Sequence, residues 1–251
     1  MNRDELVSYL DELLDVKSIQ DRSNNGLQVA GTKEVEHLAF AVDAGLDAFH
    51  RAARAGAQML IVHHGLFWSE PVMVIGIHRA RLAALLDAAI SLYAVHLPLD
   101  FHDTLGNNAT LARWLDLESA GTFGHHKGSA AGFIGDLPVE MTLEEFAARV
   151  AAATGEPVTG IWPFGRERVR RVAIVSGGAA FLVDQVAEAG ADVYLTGEVS
   201  HGNYHQASEL GINVVFGGHY ATETAGLKAL AGHLAEQFKL ETSFLDLPTG
   251  A

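Results

Sequence analysis

Three short segments of this chain hold residue types that can do chemistry. They are His63-His64-Gly65-Leu66-Phe67-Trp68, His96-Leu97-Pro98-Leu99-Asp100 and Gly217-Gly218-His219-Tyr220-Ala221-Thr222-Glu223. Imidazole and carboxylate are donors for divalent metal ions, and the chain has 13 His but no Cys. Thiolate zinc sites, iron–sulfur clusters, disulfides and cysteine nucleophiles are therefore excluded. Nitrogen and oxygen donors suit zinc, iron, manganese or nickel and do not choose among them. Spacing adds detail. Positions four apart share a helix face, so His219 and Glu223 converge if a helix starts near His219, and Gly217-Gly218 permits a close backbone approach there. Pro98 disfavours a helical Leu97, so His96 and Asp100 need not converge in the same way. Neighbours on a strand point to opposite faces, so His63 and His64 suit two adjacent ions better than one.

Each segment follows a short apolar run that reads as a buried strand: residues 58–62, 90–95 and 212–216. Further strands are expected at 37–42, 130–137, 169–175 and 193–195. Helices are expected at 4–14, 46–55, 77–89, 105–117, 142–153, 179–188 and 221–238. Alternating continuous apolar strands with helices points to an α/β protein whose mostly parallel sheets are covered on both faces. In such sheets ligands bind at the C-terminal strand ends, where all three segments lie. Residues 121–129 (GTFGHHKGS) read as a linker.

The two halves resemble each other. Residues 55–62 (AGAQMLIV) match 189–196 (AGADVYLT) at an offset of 134, and the preceding strand and helix align at the same offset. At an offset of 123, His96 and Asp100 fall on His219 and Glu223. We expect two related, interlinked α/β units, residues 1–122 and 123–251, with the metal site at the C-terminal strand ends between them. A topological difference between the halves would defeat the duplication.

Composition narrows the partners. Asp plus Glu number 31 against 17 Lys plus Arg, a formal charge of −14. That excludes the basic footprint of a nucleic-acid binder and disfavours anionic membrane surfaces. No window has the ~18 consecutive apolar residues of a membrane span, and residues 1–16 lack a signal-peptide pattern. A cytoplasmic protein is expected.

HHGLFW, HLPLD, YLTGEVSH (residues 194–201) and GGHYATE, with SNNGLQV at residues 23–29, resemble the NGG-interacting-factor-three-like family of dinuclear-metal proteins. Its members often carry the label GTP cyclohydrolase type 2 homolog. The likeness covers nearly the whole chain. It implies that His64 and Asp100 bind one divalent ion, His63 and His219 the other, and that Glu223 bridges both. His96 becomes a close neighbour or an occasional ligand. It also implies a ring-shaped homo-hexamer.

Two functions fit this reading. One is a metal-dependent hydrolase of a small nucleotide-like molecule, with Glu198, His201 and His96 as candidates for proton transfer or substrate binding. The other is a non-catalytic metal carrier or regulatory scaffold. An ordered acid or base beside the metal ligands discriminates them. Trp68 is a candidate pocket wall, and His102 and His205 could line a cavity. Lys127 and Arg166 could reach a phosphate, and Gly177-Gly178 lacks the context of a nucleotide loop. His37, His50, His78 and His233 are scattered and mostly read as surface residues, and His125-His126 as a linker pair.

Overall fold

A computed structural model describes residues 1–126 and 128–250, with every side chain of these except that of Ser119. The chain forms two compact units. One is Met1–Leu99 with Leu227–Leu247, and the other is Asp100–Gly226 with Pro248–Ala251. Among the described residues no helix is long and apolar enough to cross a membrane.

The first unit contains α1 (Arg3–Leu13), β1 (Gly26–Val29), β2 (His37–Asp43), α2 (Leu46–Arg54), β3 (Met59–His64), α3 (Gly76–Asp87) and β4 (Ser91–Ala94). A four-residue helix, α4 (Leu97–Asp100), closes it. The second unit contains α5 (Asn107–Trp114), β5 (Glu118–His126), β6 (Ser129–Thr142), α6 (Leu143–Thr154), β7 (Gly160–Trp162) and β8 (Arg168–Val175). It continues through α7 (Val183–Glu188), β9 (Val193–Thr196), α8 (Tyr204–Leu210) and β10 (Asn213–Phe216). Helix α9 (His219–Phe238) starts in the second unit, and β11 (Glu241–Phe244) belongs to the first.

The first sheet has the order β1-β4-β3-β2-β11, with β4, β3, β2 and β11 parallel and β1 antiparallel at the edge. Its central strands carry continuous apolar runs, as strands buried on both faces do. Leu60, Ile61 and Val62 are fully buried, and burying each such side chain contributes about 1.5–3 kcal/mol. The second sheet has the order β5-β6-β8-β9-β10-β7, with β8, β9 and β10 parallel and the outer strands antiparallel. Residues 100–122 belong to this unit: α5 contributes Ala109, Leu111 and Ala112 to its core, and β5 pairs with β6.

The internal repeat is real at the level of hydrogen-bond register. Leu38 pairs with Met59 across β2 and β3, and Val172 with Val193 across β8 and β9. Each later residue lies 134 positions beyond its counterpart. Gly26 of β1 and Gly160 of β7 show the same offset, facing Ala94 and Phe216 from the same antiparallel edge. Strand order and direction thus agree over four strands. The Ala94–Phe216 correspondence sets the last offset at 122. Strand register therefore places His96 opposite Gly218, and His219 comes one residue later.

Several expectations need correction. Residues 121–126 and 129 pair within the β5–β6 hairpin and are not a linker; His125 pairs with Ala130 and His126 with Ser129. Gly128 supplies the positive φ of +85° that the turn requires, while Lys127 lies outside the described residues. His37 is buried, not superficial. Its Nδ1–H donates to the Ala55 carbonyl at 3.1 Å, and Nε2 lies 2.9 Å from the Ser243 hydroxyl of β11. Leu97 is helical in spite of Pro98. The proline stands in the first turn, where a helix needs no amide donor, and the Leu97 amide is capped by Asp21 at 3.0 Å.

Candidate metal site

In the first unit, β3 and β4 end side by side, and their C-terminal residues bring His63, His64 and His96 together. Each of the three offers a ligand atom within 4.8 Å of the others. The alternation of a strand does not separate His63 from His64, because His64 is the last residue of β3; their ring centroids are 4.8 Å apart. Gly65 then lets the chain pass Ala94 and Gln28 at distances no Cβ could tolerate. Gln28 braces that loop, accepting from the Leu66 amide at 2.7 Å and donating to the Phe67 carbonyl at 3.2 Å. Trp68 sets its ring edge-on to His96, with centroids 5.1 Å apart.

Each imidazole is oriented through Nδ1. His63 Nδ1–H donates to the Val95 carbonyl at 2.9 Å, and His64 Nδ1 meets Asp43 Oδ1 at 2.8 Å. His96 Nδ1 lies 3.0 and 3.1 Å from the two Asp21 oxygens. An acceptor on Nδ1 fixes the proton there and assigns the electron pair to Nε2, the arrangement that metal-binding histidines use. Asp21 is only 2 % exposed in its side chain. Burial alone would raise its carboxyl, but His96, Asn25 and the Leu97 amide outweigh burial and hold it well below the usual carboxylate range. Asn25 also accepts from the His96 amide at 2.8 Å. SNNGLQV is therefore the brace of the site.

In the second unit, α9 starts at His219, as its spacing predicts, and His219 Nε2 lies 3.1 Å from Glu223 Oε1 one turn on. His219 Nδ1 is 3.1 Å from Glu198 Oε2. The Glu223 hydrogen bond drives the His219 imidazole up to about 9, against burial and with help from Glu198. Glu223 itself is buried. The Gly177-Gly178 pair has a role unrelated to phosphates. A Cβ on Gly177 would stand 2.3 Å from Glu223 Oε1, and one on Gly178 would stand 2.7 Å from Glu198 Oε1. These glycines make the space in which both carboxylates sit. Asp100 is buried, with Asn107 Nδ2 at 2.8 Å and Ser176 Oγ at 3.0 Å from its Oδ1.

The repeat explains which half carries which groups. Positions Asp43, His63 and His64 correspond at the 134 offset to Gly177, Gly197 and Glu198. The second half has small residues where the first has a brace and a candidate ligand, and Glu198 supports an imidazole where His64 offers one. The donor sets are those of a nitrogen- and oxygen-ligated divalent ion: imidazoles with fixed Nε2 atoms and buried carboxylates.

Sequence reasoning missed Asp21, Asn25, Gln28 and Asp43. Asn25 and Gln28 lie inside the SNNGLQV segment, and Asp43 left a signal of its own, a carboxylate at the C-terminal end of a buried strand. His201 stands in the exposed turn His201–Asn203, and His205 is exposed on α8. His102 Nδ1 accepts from the Thr104 and Leu105 amides at 3.2 and 3.0 Å, capping the turn before α5. Arg166 pairs with Asp192 at 3.2 Å.

The chain is similar to known proteins over its whole length. The family description Duf34/NIF3 (NGG1p interacting factor 3) matches residues 1–249. A Pyrococcus horikoshii protein named GTP cyclohydrolase 1 type 2 homolog is 46 % identical, with all of both chains covered. A Deinococcus radiodurans protein of the same name is 41 % identical over all of this chain and 95 % of its own. A crystal structure of a Thermus thermophilus protein superposes with a TM-score of 0.92 at 42 % identity, covering both chains completely.

Proposed function

Since this chain belongs to the Duf34/NIF3 (NGG1p interacting factor 3) family, we propose that it binds two divalent ions and hydrolyses a small nucleotide-like molecule. In this reading His64 and Asp100 would hold one ion, His63 and His219 the other, and Glu223 would serve both. Such a ligand set leaves coordination positions for water and substrate. Bound ions supply Lewis acidity, polarising a substrate oxygen and the attacking water.

The observation that carries the hydrolytic reading is the His96–Asp21 pair. His96 stands among the candidate ligands with Nδ1 held by a buried carboxylate. That contact orients the ring and stabilises the imidazolium formed when Nε2 takes a proton from water. The same ring then returns the proton to the leaving group. Trp68 packs edge-on against His96 and helps hold the ring in place. The nucleotide-like substrate class rests on the relatives' printed names. Glu198, engaged with His219, orients that ligand in this scheme.

The test loads purified protein with zinc, manganese, iron or nickel and offers GTP and other nucleotides. We expect turnover of at least one, lost in His96→Gln while two ions per chain are retained. Tight uptake of two ions with no turnover across the panel would establish the carrier or scaffold reading instead.

The family resemblance extends the proposal to a cytoplasmic homo-hexameric ring that binds neither nucleic acid nor membrane. Met73, Val74, Ile75 and Ile77 support an association surface, because all four are more than half exposed in or just before α3. Sedimentation should give a species of about six chains; a monomer would remove the ring.

A further inference from the structure

Asp100 stands at the centre of a buried polar cluster that exceeds what holding one loop requires. Asn107 and Asn108, the first two residues of α5, are fully buried. Asn107 Nδ2 and Ser176 Oγ both donate to the same carboxylate oxygen, Oδ1, at 2.8 and 3.0 Å. Asn108 Nδ2 donates to the Asp100 and Ala131 carbonyls at 3.1 and 3.2 Å, and its Oδ1 accepts from the Ser176 amide at 2.8 Å. Backbone and side chain of Asp100 are thus both pinned, with Ser176 held at the end of β8.

The other end of Asn107 matters as much. Its Oδ1 accepts from the Gly226 amide at 2.7 Å, inside α9. The orientation of this amide follows from chemistry: a carboxylate only accepts and a backbone N–H only donates, so the NH₂ must face Asp100 and the oxygen must face Gly226. One side chain therefore links Asp100 to the helix that carries His219 and Glu223.

We propose that Ser176 and Asn107 are positioning residues for a metal ion. They occupy Oδ1 and so assign the other oxygen of Asp100, Oδ2, to the ion it would hold, with Asn107 keeping the carboxylate in register with α9. This rests on the two-ion reading above. Both donors are neutral, so they fix the carboxylate without spending its charge on a cation. Supporting partners of this kind are worth about 10–100-fold in metal affinity. The loss should fall on the ion that Asp100 serves and spare the ion held by His63 and His219.

The test is cobalt(II) titration of the full chain, following visible d–d absorption and binding heat, with circular dichroism to confirm the fold. Ser176→Ala removes one donor at the smallest cost in volume, and Ser176→Thr keeps the hydroxyl. Asn107→Asp keeps the shape and the acceptor for Gly226 but sets a second carboxylate against Oδ1. We expect wild type to bind two ions. Ser176→Ala should weaken one by about 10–100-fold and alter its band, Ser176→Thr should restore both, and Asn107→Asp should lose more than Ser176→Ala. Unchanged affinities and spectra in Ser176→Ala and Asn107→Asp would overturn the proposal, as would equal weakening of both ions in folded protein. A folded wild type that takes up no cobalt would instead overturn the two-ion reading on which it depends.

Discussion

Glu223→Gln is expected to reduce metal content from two ions to one or none and to remove turnover. The substitution keeps the volume of the side chain and takes away its charge. Glu223 is the one proposed ligand that serves both ions, so its loss is felt twice. It is also buried, within 3.1 Å of His219 Nε2. A bridging carboxylate between two dications offsets repulsion that an amide cannot, so the loss should exceed the roughly 100-fold upper figure for a supporting partner. Elemental analysis and calorimetric titration measure it. Two ions bound at wild-type affinity in Glu223→Gln would rule out the bridge.

Gly177→Ala should have a comparable effect through a residue that binds nothing. Gly177 has φ +65°, where a side chain costs about 1–2 kcal/mol. Its new Cβ would also stand 2.3 Å from Glu223 Oε1 and 3.4 Å from His219 Nε2. Glu223 is buried, so its carboxylate would have to turn away from the position in which it meets His219. We expect a lower melting temperature and metal content below one ion per chain. Gly190→Ala is the control: it shares a positive φ, +70°, but meets nothing within 4 Å. It should lose stability while keeping both ions. If the two variants retain metal equally, backbone strain is the whole effect and the cradle has no role.

These two cases mark how far the chain could be read unaided. The buried strands at 37–42, 58–62, 169–175 and 193–195 were legible because continuous apolar runs bounded by turns have one stable solution, a sheet covered on both faces. His219 and Glu223 were legible because four residues is one helical turn. The duplication was legible as an offset of 134, and the register pairs Leu38–Met59 and Val172–Val193 bear it out. Edge strands β1, β7 and β11 were not legible, since their half-buried residues form no continuous apolar run. The end of β5, residues 121–126, was misread because its glycines and histidines have linker composition, while its pairing with β6 is a long-register property.

By itself the sequence determined the donor chemistry and where along the chain it lies: imidazole and carboxylate, no thiolate, each group at the end of an apolar strand. Residue type and local spacing are enough for that. Tertiary structure alone decided which groups brace the donors. Asp21 reaches His96 across 75 positions, Ser176 reaches Asp100 across 76, and Asn107 reaches the Gly226 amide across 119. Such partners leave no local pattern, because hydrogen bonding depends on distance in space and the fold sets that distance only when the strands have been ordered.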